Sequence, residues 1–342
     1  MRHRALARLV LVAVAVAGFV GITARPALAD PAGPTNYEST ITSIEPAAPQ
    51  ATFEVVGGDA FLEVTVSPGH TLAVPGYFRE PYIRIDADGT VWVNEDSQTL
   101  YENEDRYGVA DPPAEADGLG EPRWRQVADN GVYAWHDHRV HWMSRDVPPA
   151  VAGDTRQLVF PWRIPVTIDG AETLVSGELV WIPSDSPWPM IVVGVAASAL
   201  AAVVWRTKPD LLGPLAGAMA VAAGVVVVAQ NLATPAAART FPVWIVFPLI
   251  AAITAGFAGA RRSIAGLTPR YLLLVSGLTL AAWAYATVDV LSSPIVPSAL
   301  PILLERASIS VVGGTGVAVA LLAVAGVMGW NVAEDRSPPT TP

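Results

Sequence analysis

Cysteine is absent from this 342-residue chain. Its absence excludes disulfides, thiolate metal sites, cysteine nucleophiles and a lipid-modified cysteine anchor together. Lysine is almost absent: Lys208 is set against 20 arginines. With abundant Ala, Val, Gly and Pro, that ratio reads as the mark of a GC-rich genome rather than of function. No phosphate-cradling glycine loop, Rossmann fingerprint or Gly-x-Ser-x-Gly elbow occurs, and no Asn-x-Ser/Thr site. Nothing in the sequence pairs a nucleophile with a base. An enzyme is therefore the least favoured class, and a non-enzymatic protein is expected.

Residues 1–29 read as a secretory signal. Arg2, Arg4 and Arg8 form a basic start, Leu9 to Val20 an apolar core, and Ala27-Leu28-Ala29 a small-x-small cleavage pattern. The alternative is an uncleaved anchor helix. Both readings place the domain after residue 29 outside the cytoplasm.

Composition shifts sharply at Pro187. Residues 30–187 hold 26 acidic and 9 basic residues, a formal charge of −17. Such a domain repels nucleic acid and anionic headgroups, so no nucleic-acid partner is expected. Beyond Pro187 come five apolar stretches, about 189–205, 211–230, 241–260, 271–289 and 308–330, each near the roughly 20 residues a bilayer requires. Arg206 and Lys208 fill the first connecting loop, and Arg261, Arg262 and Arg270 the third. This alternation predicts the N-terminal domain outside and the C-terminus inside. Small residues are dense, as in Gly213 to Gly217 and Gly313 to Gly316, a pattern common in Ala-rich helices. The bundle lacks histidine and midplane charge, which disfavours a pump or a proton-coupled transporter. An amphipathic segment, Pro297 to Arg306, is expected to lie along the membrane interface.

The expected organisation is a signal peptide at 1–29, a flexible lead at 30–50, and an extracytoplasmic all-β sandwich at 51–186. A five-helix transmembrane domain at 187–331 and a cytoplasmic tail at 332–342 complete the chain. Strands are read at Thr52–Val56 and Ala60–Val66. Hairpins are read around Ala87-Asp88-Gly89 and Asp169-Gly170. Asp86-x-Asp88-Gly89 lacks the further ligands of a calcium loop and is read as a turn. Pro161 and Pro165 place the strand Gln157–Ile168 at an edge or bend it. Residues 109–122, polar and without periodicity, read as a long loop of the kind that sits over a site.

Three of the five histidines fall in Trp135-His136-Asp137-His138-Arg139-Val140-His141-Trp142-Met143. If Val132–Met143 is one strand, His136 and His138 share a face, while His141 and Met143 share the other with Asp137 and Arg139. Two imidazoles about 6.5–7 Å apart along a strand can close on one ion. That suits Cu(II) or Zn(II), with a further ligand from Glu102, Glu104 or Asp105, and the Met143 thioether suits Cu(I). A bulge near Arg139 would gather all three histidines. Competing readings are a buried polar network, with Asp137 and Arg139 pairing with Arg106 and Asp105, and a pH-sensing or protein-contact role.

Together with Glu80 to Arg84 and Tyr101 to Tyr107, this stretch resembles a group of actinobacterial membrane proteins that join an exported domain to several membrane helices. The resemblance covers most of the N-terminal domain and implies architecture, not activity. More weakly, Trp162 to Gly170 followed by Val175-Ser176-Gly177 is similar to the last hairpin of the periplasmic copper-binding CopC sandwich. That likeness implies a shared fold. The family's copper-ligating positions fall on Ala171 and Asp30, so its metal site does not carry over.

The expected protein is thus a multi-pass plasma-membrane envelope protein, possessing a candidate copper site at His136, His138, His141 and Met143. The alternative is a structural or assembly factor docking a membrane-protein partner.

Overall fold

The computed structural model describes residues 32–327, apart from 105, 108–110, 145, 150, 152–153 and 261–266. The expected signal segment and C-terminal tail lie outside the described residues, as does Asp105.

The N-terminal half is built from ten strands: β1 (Tyr37–Glu45), β2 (Ala51–Val56), β3 (Phe61–Val66), β4 (Leu72–Pro75), β5 (Pro81–Ile85), β6 (Val91–Asn94), β7 (Trp124–Ala128), β8 (Val132–Trp135), β9 (Gln157–Ile168) and β10 (Ala171–Trp181). All pairings are antiparallel. A seven-stranded sheet runs β1-β10-β9-β4-β5-β6-β7, and a three-stranded sheet runs β2-β3-β8. Alternate residues bury Trp162, Ile164, Val166 and Ile168 of β9 with Phe53, Leu62, Val64 and Val66 of the smaller sheet. This period of two makes one sandwich core from both sheets. Each fully buried aliphatic there contributes about 1.5–3 kcal/mol, which holds the domain together without disulfides.

Both predicted hairpins form. The second turns on Asp169 (φ 50°) and Gly170 (φ 80°), the two positive-φ positions of a tight hairpin loop. Strand β9 lies inside the larger sheet, yet β4 pairs with it only through Leu72–Ile168 and Ala73–Thr167. Its proline-bearing half therefore pairs with β10 alone, which is how Pro161 and Pro165 are accommodated. The expected flexible lead is corrected: residues 37–45 form β1, paired along β10. Its mixed polar sequence hid the strand, because only one face meets the core.

Among the described residues, five α-helices make up the C-terminal half: α2 (Trp188–Thr207), α3 (Leu212–Leu232), α4 (Val246–Gly259), α5 (Leu267–Ala286) and α6 (Ile302–Val327). A short α1 (Gln98–Glu102) belongs to the sandwich. Among the described residues, three segments are long and apolar enough to cross a membrane: Trp188–Thr207, Pro209–Leu232 and Ile302–Gly326. Val243–Gly259 is apolar but shorter, and α5 carries Arg270 and two tyrosines. Helix α6 packs against α2, α3 and α5. Side-chain-free positions make those crossings possible. A Cβ on Gly314 would strike the Gly194 backbone, and one on Gly316 would meet Gly277 and Leu280. The small residues near 313–316 are thus contact points rather than background composition.

The segment Pro297–Arg306 is also corrected. It does not lie apart at the interface, since Ile302 onward is the start of α6 and both Glu305 and Arg306 are buried. Gln230 donates to Glu305 Oε1 at 2.7 Å. Arg306 donates to the carbonyls of Val290 and Ser293 and to Asp185. Helical geometry brings these groups to partners that an interfacial segment would have left to water.

The Arg306–Asp185 pair is one of several ties between sandwich and bundle. Thr35 exchanges backbone hydrogen bonds with Ile295, and the Asp185 N–H donates to the Ser292 carbonyl. Ala60, Phe61 and Ala134 of the sandwich pack against Ala238, in the loop between α3 and α4. The end of β8 is thereby set against the α3–α4 loop of the bundle.

Candidate metal centre

Strand β8 ends at Trp135, opposite Leu62 in the register with β3. The strand expected to reach Met143 stops there because Asp137 turns the chain. Its carboxylate accepts the Arg139 backbone N–H at 3.0 Å, and its carbonyl accepts Val140 N–H at 3.0 Å. An Asp side chain bonded to the backbone two residues on is a turn-former. Face alternation consequently fails beyond Trp135.

That turn gathers the imidazoles. The ring centres of His136 and His141 lie 4.6 Å apart, those of His138 and His141 5.2 Å, and those of His136 and His138 6.1 Å. The strand reading had put His141 on the opposite face; a turn, not a bulge, brings it back. An ion held about 2.0–2.1 Å from each ring nitrogen places three ring centres about 5 Å apart. The observed triangle has that size. Among the described residues, no three His, Asp or Glu side chains are arranged to hold an ion.

Met143 does not join them. It is 41% exposed, whereas His136 and His141 are each 1% exposed. His138 is half-buried. Tyr77 stacks on its ring at 5.8 Å and accepts its backbone N–H at 2.7 Å. Phe61 presents an edge to His136 at 5.7 Å.

The hydrogen bonds of the buried imidazoles are incomplete. His141 Nδ1 lies 3.1 Å from the Trp142 carbonyl. A carbonyl only accepts, so Nδ1 carries the proton and Nε2 presents its lone pair. That Nε2 has no partner, while the His136 ring approaches the Ala60 backbone without reaching full hydrogen-bond geometry. Both rings are held neutral. Burial, then Arg106 and His138, lower the His136 pKa to about 4. Burial, then His136 and Arg106, lower that of His141 to about 2. A neutral imidazole whose far nitrogen donates to a carbonyl is the usual form of a metal-ligating histidine.

The charges around the rings are paired. Asp137 is fully buried and accepts from Trp135 Nε1, the Arg139 backbone, and Arg139 Nε and Nη2, at 2.7–3.0 Å. Burial alone would raise its pKa; the Arg139 charge and these donors lower it. Arg106 bonds Asp59 at 2.5 Å. Asp137 and Arg139 thus pair with each other, and Arg106 pairs elsewhere, unlike the expected cross-pairing.

Of the suggested carboxylates, Glu102 lies close to His138, and Glu104 shares a cavity wall with His136. Glu102 is the last residue of α1, and Glu104 follows it. Glu80 is buried and accepts from Ser97 and Thr99, each at 2.7 Å, which fixes the start of α1. Asn103 follows α1, receives the Tyr77 hydroxyl and donates to Tyr82 at 3.2 Å. Tyr77, Phe61 and Asp59 were not legible as site residues. They lie far from the histidines in sequence and in no pattern that marks a ligand or its support. No protein-family model, curated protein or solved structure matches the chain.

Proposed function

We propose that this protein is a non-enzymatic, membrane-anchored envelope protein that binds one transition-metal ion, copper(II), through His136, His138 and His141. The observation that carries this reading is the close approach of three imidazoles, of which His136 and His141 are buried and neutral and His141 Nε2 has no partner. Each orphaned buried polar atom costs about 1–3 kcal/mol, a cost that coordination would remove. An all-imidazole set suits Cu(II) or Zn(II), and the exposed Met143 supplies no thioether for Cu(I).

The membrane reading adds five spans, with the sandwich outside and the C-terminus inside at the plasma membrane. It is supported by the three long apolar helices, the apolar segment Val243–Gly259, the alternating basic loops and the signal-like residues 1–29.

The test is calorimetric titration of the full-length protein in detergent with copper(II) and zinc(II), beside His136→Leu/His141→Leu. The expected result is one copper bound with sub-micromolar Kd, weakened at least 100-fold in the variant, with nitrogen hyperfine couplings in the wild-type EPR spectrum. Stoichiometric zinc without copper would keep the site and change the metal. Equal, weak binding by both proteins would overturn the proposal. It would favour the assembly-factor reading, in which the turn stiffens the junction between sandwich and bundle.

A further inference from the structure

Strands β7 and β8 follow one another in the chain but belong to different sheets, each as an edge strand. Arg125 to Val127 of β7 and Tyr133 to Trp135 of β8 line a cavity of about 330 Å³, together with Leu100, Asn103 and Glu104 around the end of α1 and Ala237 of the α3–α4 loop. Pockets for small organic ligands begin at about 300 Å³.

The lining is part apolar and part charged. Leu100, Val127 and Ala237 are apolar, and the Tyr133 ring is stacked with Trp135 at 6.1 Å. Burial pushes the Tyr133 hydroxyl up to about 12, so it stays neutral. Asn103 is buried and fixed by its bond to the Tyr82 hydroxyl. Of the two charges, Arg125 is held by Glu95 at 2.7 Å. The half-buried Glu104 carboxylate has neither an ion pair nor a hydrogen bond among the described residues, and Arg125 acts on it only from beyond ion-pair contact. A partly desolvated carboxylate without a cation is unfavourable. The formal charge of −17 on residues 30–187 draws cations toward the domain.

We propose that this cavity binds a small organic cation, a protonated primary amine whose ammonium group pairs with Glu104 and whose apolar or aromatic body lies against Tyr133, Leu100 and Val127. The ammonium group is donor-only and the carboxylate acceptor-only, so the two match. A cation near the Tyr133 ring gains further from its electron-rich face. An anion would meet Glu104, and an Arg125 already neutralised by Glu95. A bare metal ion would meet one carboxylate and leave the apolar wall unused, since the His136 ring nitrogens are buried away from it. The site is separate from the three imidazoles and stands whether or not they bind copper.

The experiment is calorimetric titration of the full-length protein in detergent at pH 7 with 2-phenylethylamine, and with 3-phenylpropionate as a ligand of similar body and opposite charge. Wild type is compared with Glu104→Gln, with Ala237→Phe, which crowds the cavity without touching a charge, and with Glu121→Gln, an exposed carboxylate outside the cavity wall. One amine per chain is expected to bind wild type with a Kd below millimolar. Binding should weaken at least tenfold in Glu104→Gln and in Ala237→Phe, and stay within twofold in Glu121→Gln. The carboxylate ligand should not bind. Glu104→Gln removes no partner and should keep the wild-type melting midpoint. Failure of wild type to bind the amine, equal binding by Glu104→Gln, an equal loss in Glu121→Gln, or equal affinity for 3-phenylpropionate would each overturn the proposal.

Discussion

His136 and Asp137 are neighbours in the chain and equally buried, yet they are provided for in opposite ways. Asp137 is a charge in a water-free place, and four donor contacts surround it. His136 is a neutral ring in the same place, and it approaches only the Ala60 backbone, short of full hydrogen-bond geometry. Burying an unpaired polar group is unfavourable, and burying a paired one is tolerable. The carboxylate therefore reads as part of the scaffold that makes the turn. The buried imidazoles are less fully bonded, since His141 Nε2 has no partner.

The sharpest way to break this contrast is Asp137→Ala. It leaves Arg139 buried without its counter-charge and strips a partner from Trp135 Nε1. Removing one member of a buried pair costs about 3–5 kcal/mol. A large fall in the thermal midpoint of the full-length protein is expected; a midpoint unchanged within error would show that the turn does not depend on the carboxylate.

A smaller effect separates the two kinds of residue by pH. The folded-state pKa values of His136 and His141, about 4 and about 2, lie below the ordinary 6.5. Below pH 6.5 the unfolded chain takes up protons that the folded chain refuses, so stability falls as pH falls. For the metal-free protein the slope is about 1.4 kcal/mol per pH unit for each imidazole between pH 6 and 4. Asp137, with its pKa lowered, adds stability that is lost only at still more acid pH. Denaturation midpoints measured from pH 7 to 4 should decline in wild type and flatten in His136→Leu/His141→Leu. Parallel curves for the two proteins would contradict the neutral, buried state of the rings.

The smallest expected effect belongs to Met143. Met143→Leu conserves volume at a largely exposed position and should change stability by less than about 0.5 kcal/mol. Copper(II) affinity should likewise stay within twofold by titration. A tenfold loss would return the thioether to the site.

Local pattern carried much of the architecture. The Asp169-Gly170 turn and the strands Phe61–Val66 and Gln157–Ile168 follow from period-two burial and turn chemistry, which act within a few residues. The apolar runs from Trp188 onward follow from length and hydropathy alone. Strand β1 was not legible, because its pairing partner β10 lies more than a hundred residues away and its own face is mixed. The clustering of histidine in one segment was plain, but its geometry was not. Alternation along an assumed strand separated His141 from His136, whereas the side chain of Asp137 bends the chain after Trp135.

By itself, then, the sequence determined a cysteine-free acidic β domain, a following set of apolar helices, and three histidines within six residues. Hydrophobic period, turn residues and charge are local properties, and they are written locally. Only the tertiary structure decided that the three rings meet, that Met143 stands outside them, and that Tyr77, Phe61 and Asp59 surround or brace them. It also decided that His136 and Ala237 line one cavity. Those outcomes depend on which distant segments exclude water from the same small volume, and on which polar atoms find partners once it is gone.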